Sequence, residues 1–203
     1  MELVHIPKAG ERMLIYAAIQ TETPQWSGPK LDETWFPAIA QGDAEAFRAL
    51  YESASQSVFG FALSILRSRP DAEDAMQDTF LKVRGAAHLY QPMGKPLAWI
   101  LRIARNVCLM QLRHRRHLAD APPEELCPDI GWEGIQSAED RLALQSAFQC
   151  LTREEMQIVM LHAVAGLKHR ETAALLGLPL NTVLSKYNRS LKRLRERMEE
   201  QLV

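Results

Sequence analysis

The sequence predicts an all-α protein with two small helical domains joined by a flexible acidic linker, the C-terminal domain being a helix-turn-helix. Apolar residues recur at the helical spacing of three and four in both halves of the chain, and no segment alternates with a period of two. Residues 118–137 lack that spacing and are rich in proline, glycine and acids, as extended linkers are. We therefore divide the chain into an unassigned extension at 1–30, a first domain at 31–117, the linker, and a second domain at 138–203.

The composition is that of a soluble globular protein. Of the 203 residues, 47% are hydrophobic and 24% are charged. No apolar run approaches the roughly 20 residues needed to cross a bilayer, so we expect no membrane insertion. Residues 1–10 lack the basic and apolar stretches of a secretion signal. The three cysteines form no CxxC pair, which favours reduced thiols in the cytoplasm.

Three helices are expected in the first domain. The first begins after Asp43, an N-cap candidate, and its apolar residues keep helical spacing as far as Ile65. The second begins near Ser68 with Pro70 in its first turn, where proline is tolerated. A loop rich in proline and glycine follows, and the third helix starts near Pro96.

The second domain contains the more specific pattern. A short helix from His169 to Leu176 is stopped by Gly177, and a second helix opens at Asn181 or Thr182. An ordinary helical hairpin would show the same spacing, but its outer face would not need to be basic. The residues that we expect to face outward and to contact base edges or phosphates are Thr182, Leu184, Ser185, Lys186, Asn188 and Arg189.

The charges are segregated along the chain although the net charge is only −1. Residues 71–78 are acidic, residues 99–117 carry arginines and no acid, and residues 119–140 hold seven acids and no base. Residues 179–197 are again basic apart from Glu196. Basic runs are often no more than solvated helix faces, but two of them, each ending a predicted helix, favour nucleic-acid binding.

The acidic helix after Pro70 carries a stripe of residues at helical spacing, Asp74, Gln77, Asp78 and Leu81. Such a stripe is commonly only solvated, yet the amide and the leucine within it suit a surface that docks a protein.

The third helix combines Trp99 with the arginines that follow it. An aromatic ring and cations beside a loop suit single-stranded or melting DNA, because bases stack while phosphates are neutralised. Trp99 would equally serve as a core residue.

Three segments together resemble one protein family. They are DAEDAMQDTFLKV at 71–83, YQPMGKPLAWILRIARN at 90–106 and ETAALLGLPLNTVLSKYNRSLKRLRE at 171–196. In this order, with an acidic linker between the second and the third, they resemble the extracytoplasmic-function (ECF) sigma factors of bacterial RNA polymerase. The resemblance spans about 43–117 and 138–198.

The resemblance implies roles for these segments, no cofactor, and in many family members control by an anti-sigma factor. The aspartate-rich helix would dock on the clamp of the polymerase core through Asp71, Asp74, Gln77, Asp78 and Leu81. The loop and helix that follow would melt the −10 promoter element through Tyr90, Lys95, Trp99, Arg102, Arg105, Asn106 and Arg113. The helix-turn-helix would lean on the polymerase flap and read the −35 element through Thr182, Leu184, Ser185, Lys186, Asn188, Arg189 and Lys192.

Five positions depart from the family pattern. Met110 stands where an aspartate is common, and Arg84 stands where a tryptophan is common. On the recognition helix Asn181 replaces a glycine, Leu184 a basic residue and Tyr187 a leucine. These changes leave the class of protein intact, but the DNA sequence that it reads does not follow from the motif.

Two other classes of function stay open at the level of the sequence. A DNA-binding regulator that acts without polymerase would use the same helix-turn-helix and would bind a palindromic duplex site on its own. An enzyme is disfavoured, since no phosphate-binding glycine loop or nucleophile motif is present. His162, His169, Cys108 and Cys150 are conceivable metal ligands, but their spacing matches no common zinc pattern, and we expect no bound metal.

Overall fold

The structure is a computed structural model that describes residues 28–118 and 148–200, with side chains over 28–115 and 148–197. All but the first residue of the predicted linker lies outside the described residues, as does most of the 1–30 extension. Within the described ranges every regular element is helical, which confirms the all-α prediction. No helix among them is both long enough and apolar enough to span a membrane.

The first domain contains four helices and a short 3-10 turn. They are α1 (Trp35–Ala40), α2 (Ala44–Leu66), α3 (Arg69–Ala86), the 3-10 turn (Ala87–Leu89) and α4 (Pro96–Leu118). The helices α2, α3 and α4 pack against one another, and α1 lies across α2 and the 3-10 turn. The three helices expected from the sequence are confirmed, and α1 is an additional helix that the sequence analysis did not predict.

The helix boundaries follow local chemistry. The carboxylate of Asp43 accepts hydrogen bonds from the backbone N–H groups of Glu45 and Ala46, at 2.9 and 3.1 Å, so it caps α2 as predicted. Ser68 precedes α3 with Pro70 in the first turn, but its side chain makes no capping hydrogen bond. The start of α3 and the position of Pro70 in its first turn are therefore as predicted.

The second domain is the helix-turn-helix together with the helix before it. Its elements are α5 (Arg153–Val159), a π-helical turn (Met160–Val164), α6 (His169–Leu176) and α7 (Leu180–Glu200). Gly177 ends α6 with φ +73°, the left-handed conformation predicted for it. Helix α7 begins at Leu180, slightly earlier than expected, and packs on α5 and α6.

The two domains pack against each other. Buried side chains of both form one continuous apolar core, in which α2 lies against α5 and the π-helical turn. A Cβ atom added at Gly60 on α2 would come within 2.6 Å of Met160 Cε. The Arg67 guanidinium, just after α2, donates to the Leu151 carbonyl at 3.3 Å. The sequence had indicated a linker but not this interface.

Gly60 gives a direct test of this interface. Gly60→Leu is expected to part the two domains, because the new side chain would have to displace Met160 from the interface and overpacking costs about 1–3 kcal/mol. Small-angle X-ray scattering should then show a larger radius of gyration than in the parent. Gly85→Leu is the matched control, since a Cβ atom at Gly85 meets nothing within 4 Å. Equal radii for the parent and Gly60→Leu would contradict the packing.

Candidate protein and nucleic-acid interfaces

The acidic stripe on α3 is exposed. Asp74, Gln77 and Asp78 lie on the solvent side of the helix, opposite the buried face formed by its alanines, Phe80 and Val83. Leu81 continues the stripe with 64% of its surface exposed. Binding of a protein partner here would bury the exposed leucine, and the carboxylates and the amide beside it could form hydrogen bonds with that partner.

Asp71, at the start of the same helix, differs from the rest of the stripe. Its carboxylate forms an ion pair with the Arg115 guanidinium on α4 and is partly buried. Asp71 therefore ties α3 to α4 within the domain, and its assignment to a docking surface rests on the resemblance alone.

The loop between the 3-10 turn and α4 carries an aromatic cluster at its base. The Tyr90 ring stacks on Phe36 of α1 with 3.9 Å between centroids and 21° between planes. Trp99 meets both rings edge-on, at 5.5 Å from Phe36 and 5.4 Å from Tyr90. Trp99 is half-buried, so it packs in the domain and still presents part of its surface.

Glu33 holds the same loop by hydrogen bonds. Its Oε1 accepts the Tyr90 hydroxyl and the Gly94 N–H, the latter at 2.8 Å. Burial raises the pKa of Tyr90, and the adjacent Glu33 carboxylate raises it further, so the phenol keeps its proton and stays a donor. Sequence reasoning missed Glu33 and Phe36. The helical spacing of Phe36 and Ile39 ahead of Gly42 was the available signal.

The polar residues expected to contact the −10 element are spread along the loop and α4. Arg102, Asn106 and Arg113 are exposed and Arg105 is half-buried, so all four reach the surface. Lys95 is exposed too, but its ammonium lies 3.2 Å from the Glu171 carboxylate on α6. In this arrangement the loop is thus tied to the helix-turn-helix by an ion pair.

The residues predicted to read DNA lie on α7. Ser185, Asn188, Arg189 and Lys192 are exposed. Thr182, Leu184 and Lys186 are half-exposed. The guanidinium Nε of Arg189 donates to the Ser185 carbonyl at 3.3 Å, which aligns the side chain with the helix surface.

Two cations of α7 are engaged with acids of α5. Lys186 Nζ lies 2.9 Å from Glu154 Oε1, and Arg193 donates to both carboxylate oxygens of Glu155 at 3.0 and 3.2 Å. Glu155 is almost fully buried and also forms a capping box with Thr152. Burial would raise the pKa of Glu155, but the Thr152 hydrogen bonds and the charges of Arg193 and Lys186 outweigh it and hold the pKa below its usual value.

Two histidines stack where the π-helical turn meets the start of α6. The His162 and His169 rings lie 3.8 Å apart, and the Tyr187 ring meets both edge-on at 4.7 and 4.9 Å. His162 Nδ1 donates to the Leu167 carbonyl at 2.6 Å, which is the one tautomer compatible with that acceptor. Among the described side chains, no three His, Cys, Asp or Glu residues gather as metal ligands would.

Comparison with known proteins gives two family models and several curated relatives. The Sigma-70 region 2 model matches residues 50–118, and the Sigma-70 region 4 model matches residues 141–194. The chain is 30% identical to RNA polymerase sigma factor CarQ of Myxococcus xanthus over 166 residues, 78% of this chain and 92% of CarQ. It is 33% identical to ECF RNA polymerase sigma factor SigE of Mycolicibacterium smegmatis over 183 residues, 84% of this chain and 70% of SigE.

A solved structure shares the fold. It is the sigma factor RpoE in complex with the anti-sigma factor NepR from Bartonella quintana, with a TM-score of 0.58 and 21% identity. The match covers 77% of this chain and 98% of that one.

The stacked histidines predict a loss of stability in mild acid. Burial and the neighbouring His162 lower the pKa of His169 to about 4, whereas an unfolded histidine titrates at about 6.5. Between these two pKa values the unfolded chain binds a proton at His169 and the folded chain does not. The free energy of unfolding therefore falls as the pH drops from about 6.5 toward 4. Urea unfolding across this range should show a shallower pH dependence in His169→Phe, which keeps a ring in the stack. Identical slopes in the variant and the parent would contradict this account.

Proposed function

We propose that this chain, which belongs to the ECF sigma factors, docks on core RNA polymerase through α3 and reads promoter DNA with the α4 side of its first domain and with α7. The membership is shown by the two Sigma-70 models and by the relatives described above. As a sigma factor, the chain binds core polymerase and directs it to promoters for transcription initiation.

The observation that carries the assignment of surfaces is their separation by charge. The exposed stripe on α3 is acidic, whereas the exposed residues that we assign to DNA on α4 and α7 are basic or polar. A protein that binds polymerase and DNA at once needs two such surfaces of different character. The docking residues that we propose are Asp74, Gln77, Asp78 and Leu81, with Asp71 supporting the helix from within the domain.

For the −10 element we propose contacts from the loop and α4. Base capture falls to the loop and the exposed part of Trp99, and phosphate neutralisation falls to the exposed cations. The residues are Tyr90, Lys95, Trp99, Arg102, Arg105, Asn106 and Arg113. Tyr90 supports the loop from its base and does not stack on a base itself, because one face of its ring is covered by Phe36.

For the −35 element we propose that α7 enters the major groove, as recognition helices do. The residues are Thr182, Leu184, Ser185, Lys186, Asn188, Arg189 and Lys192. Arg193, one of the basic residues in this run, is instead bound to the buried Glu155 and belongs to the framework of the domain. The protein acts as an initiation factor without catalysis of its own, in the cytoplasm where polymerase works.

We further propose that an anti-sigma factor controls it. RpoE, which shares the fold, was solved in complex with the anti-sigma factor NepR. In the packed arrangement Lys95 is committed to Glu171, and the loop is drawn toward the helix-turn-helix. A partner that binds both domains in this arrangement would withhold the loop from DNA.

Run-off transcription with bacterial core polymerase tests the function, and Asp78→Lys tests the docking surface. The parent should initiate at the promoter in its own upstream DNA.

Asp78→Lys should bind core more weakly without unfolding, because an exposed substitution usually changes stability by no more than about 0.5 kcal/mol. Glu52→Lys is the same charge reversal at an exposed position of α2; it loses a surface ion pair with Arg48, which contributes little to stability, and should bind core as the parent does. Parental pull-down of core by Asp78→Lys would refute the docking role. Tight duplex binding by the free chain without polymerase would favour a regulator instead.

A pair of α7 variants separates base reading from phosphate binding. Arg189→Ala should change which −35 sequences are used, because a base-reading arginine contributes about 1–3 kcal/mol of discrimination at one position. Lys192→Ala should weaken all sequences alike and reduce the salt slope by about one unit. Transcription from a promoter library at several salt concentrations measures both effects. An unchanged −35 preference in Arg189→Ala would remove it from the base-reading set.

A further inference from the structure

The loop assigned to the −10 element is held by residues that lie outside the Sigma-70 region 2 match. That match begins at residue 50, whereas α1 and the turn before it occupy residues 31–40. Two side chains of this segment, Glu33 and Phe36, contact the loop directly, one by hydrogen bonds and one by ring packing. We refer to these two residues as the clasp.

The hydrogen bonds of the clasp fix the loop at two points. A single oxygen, Glu33 Oε1, accepts the Tyr90 hydroxyl at the start of the loop and the Gly94 N–H near its end. Gly94 has φ +69°, a left-handed conformation that a glycine adopts without strain. Hydrogen bonds to a carboxylate are stronger than those between neutral groups. The span from 90 to 94 is thereby closed into one defined shape.

The rings of the clasp fix the base of the loop. Phe36 is fully buried and lies face to face with Tyr90 and edge-on to Trp99. The apex of the loop is left open, and Met93 has 71% of its surface exposed. The base of the loop is therefore anchored and its apex at Met93 is exposed to solvent, while the Lys95–Glu171 ion pair holds only the end of the loop that leads into α4.

We propose that Glu33 and Phe36 are positioning residues for promoter melting, which hold the loop of Tyr90 to Pro96 in its DNA-receiving shape before DNA arrives. The proposal rests on the −10 role given to this loop above. A loop that is already ordered does not lose conformational entropy when it captures an unpaired base, so capture is more favourable than with a loose loop. Neither residue needs to touch DNA for this effect.

The test uses holoenzyme assembled from core polymerase and the full chain. Opening of a duplex promoter is followed by the fluorescence of 2-aminopurine placed in the −10 element, and the −10 preference by a promoter library. The variants are Glu33→Ala, Glu33→Gln, Tyr90→Phe and the combination of Glu33→Ala with Tyr90→Phe. Glu45→Ala is the matched control, because that carboxylate is exposed near the start of α2 and forms its ion pair with Arg48 of the same helix.

The expected result is a loss of opening without a loss of core binding or folding. Glu33→Ala should lower the extent of opening about tenfold, since two hydrogen bonds to a charged acceptor disappear, and should relax the −10 preference. Glu33→Gln should restore most of both, because its amide oxygen accepts from the same two donors. The combined variant should open no worse than Glu33→Ala alone, as residues of one network do not add. Glu45→Ala should match the parent.

Two outcomes would overturn the clasp. One is parental opening and −10 preference in Glu33→Ala. The other is a fall in opening that only follows a fall in the unfolding midpoint or in core affinity, with the −10 preference unchanged, which is what a purely structural role gives. Both outcomes are distinct from failure of the proposed function, in which the parent itself does not initiate at any promoter with core polymerase.

Discussion

Burial of the second half of α2 is the constraint on which the rest of the structure depends. Nearly every residue from Ser57 to Leu66 is buried, including small and polar ones such as Gly60 and Ser64. A helix that is covered on all sides needs neighbours on all sides. The helices α3 and α4 cover one side, and α5 with its π-helical turn covers another, so α2 belongs to the cores of both domains.

The end of α2 carries this constraint to the functional surfaces. Arg67 adopts a left-handed conformation at φ 57°, which stops α2 and turns the chain into α3. The same residue donates from its guanidinium to Leu151 in the second domain. This one turn therefore directs the chain into α3 and also contacts the segment that precedes α5. The Lys95–Glu171 ion pair adds a weaker tie on the surface, where such pairs contribute little.

Local signals predicted the helices well and the long-range contacts poorly. Some features depend only on residues close together in the sequence, and the structure confirms them. They are the cap at Asp43, the left-handed Gly177 and the apolar spacing along α2, α3 and α4. The role of Arg193 depends on its hydrogen bond to Glu155, which is 38 positions away in the sequence, and no periodicity predicts that contact. The contacts of Glu33 with the loop were not predicted for the same reason, because its hydrogen-bond partners lie about 60 residues further along the chain. Whether a cation serves DNA or the fold is decided by tertiary neighbours.

The positions of the acids on α5 determine which cations on α7 are neutralised within the protein and which are left exposed. Lys186 and Arg193 are seven residues apart and share one face, which α5 neutralises with Glu154 and Glu155. Arg189 lies about 60° and Lys192 about 120° around the helix from Lys186, on the side that also carries Ser185. That second face is exposed, and its acid neighbour Glu196 is 3.8 Å from Lys192 and itself exposed. For the proposed −35 role, the Arg189 face offers DNA the least competition from acids, whereas contact with Lys186 would require its release from Glu154. Under that proposal the carboxylates of α5, Glu154 and Glu155, favour approach of the groove from the Arg189 side.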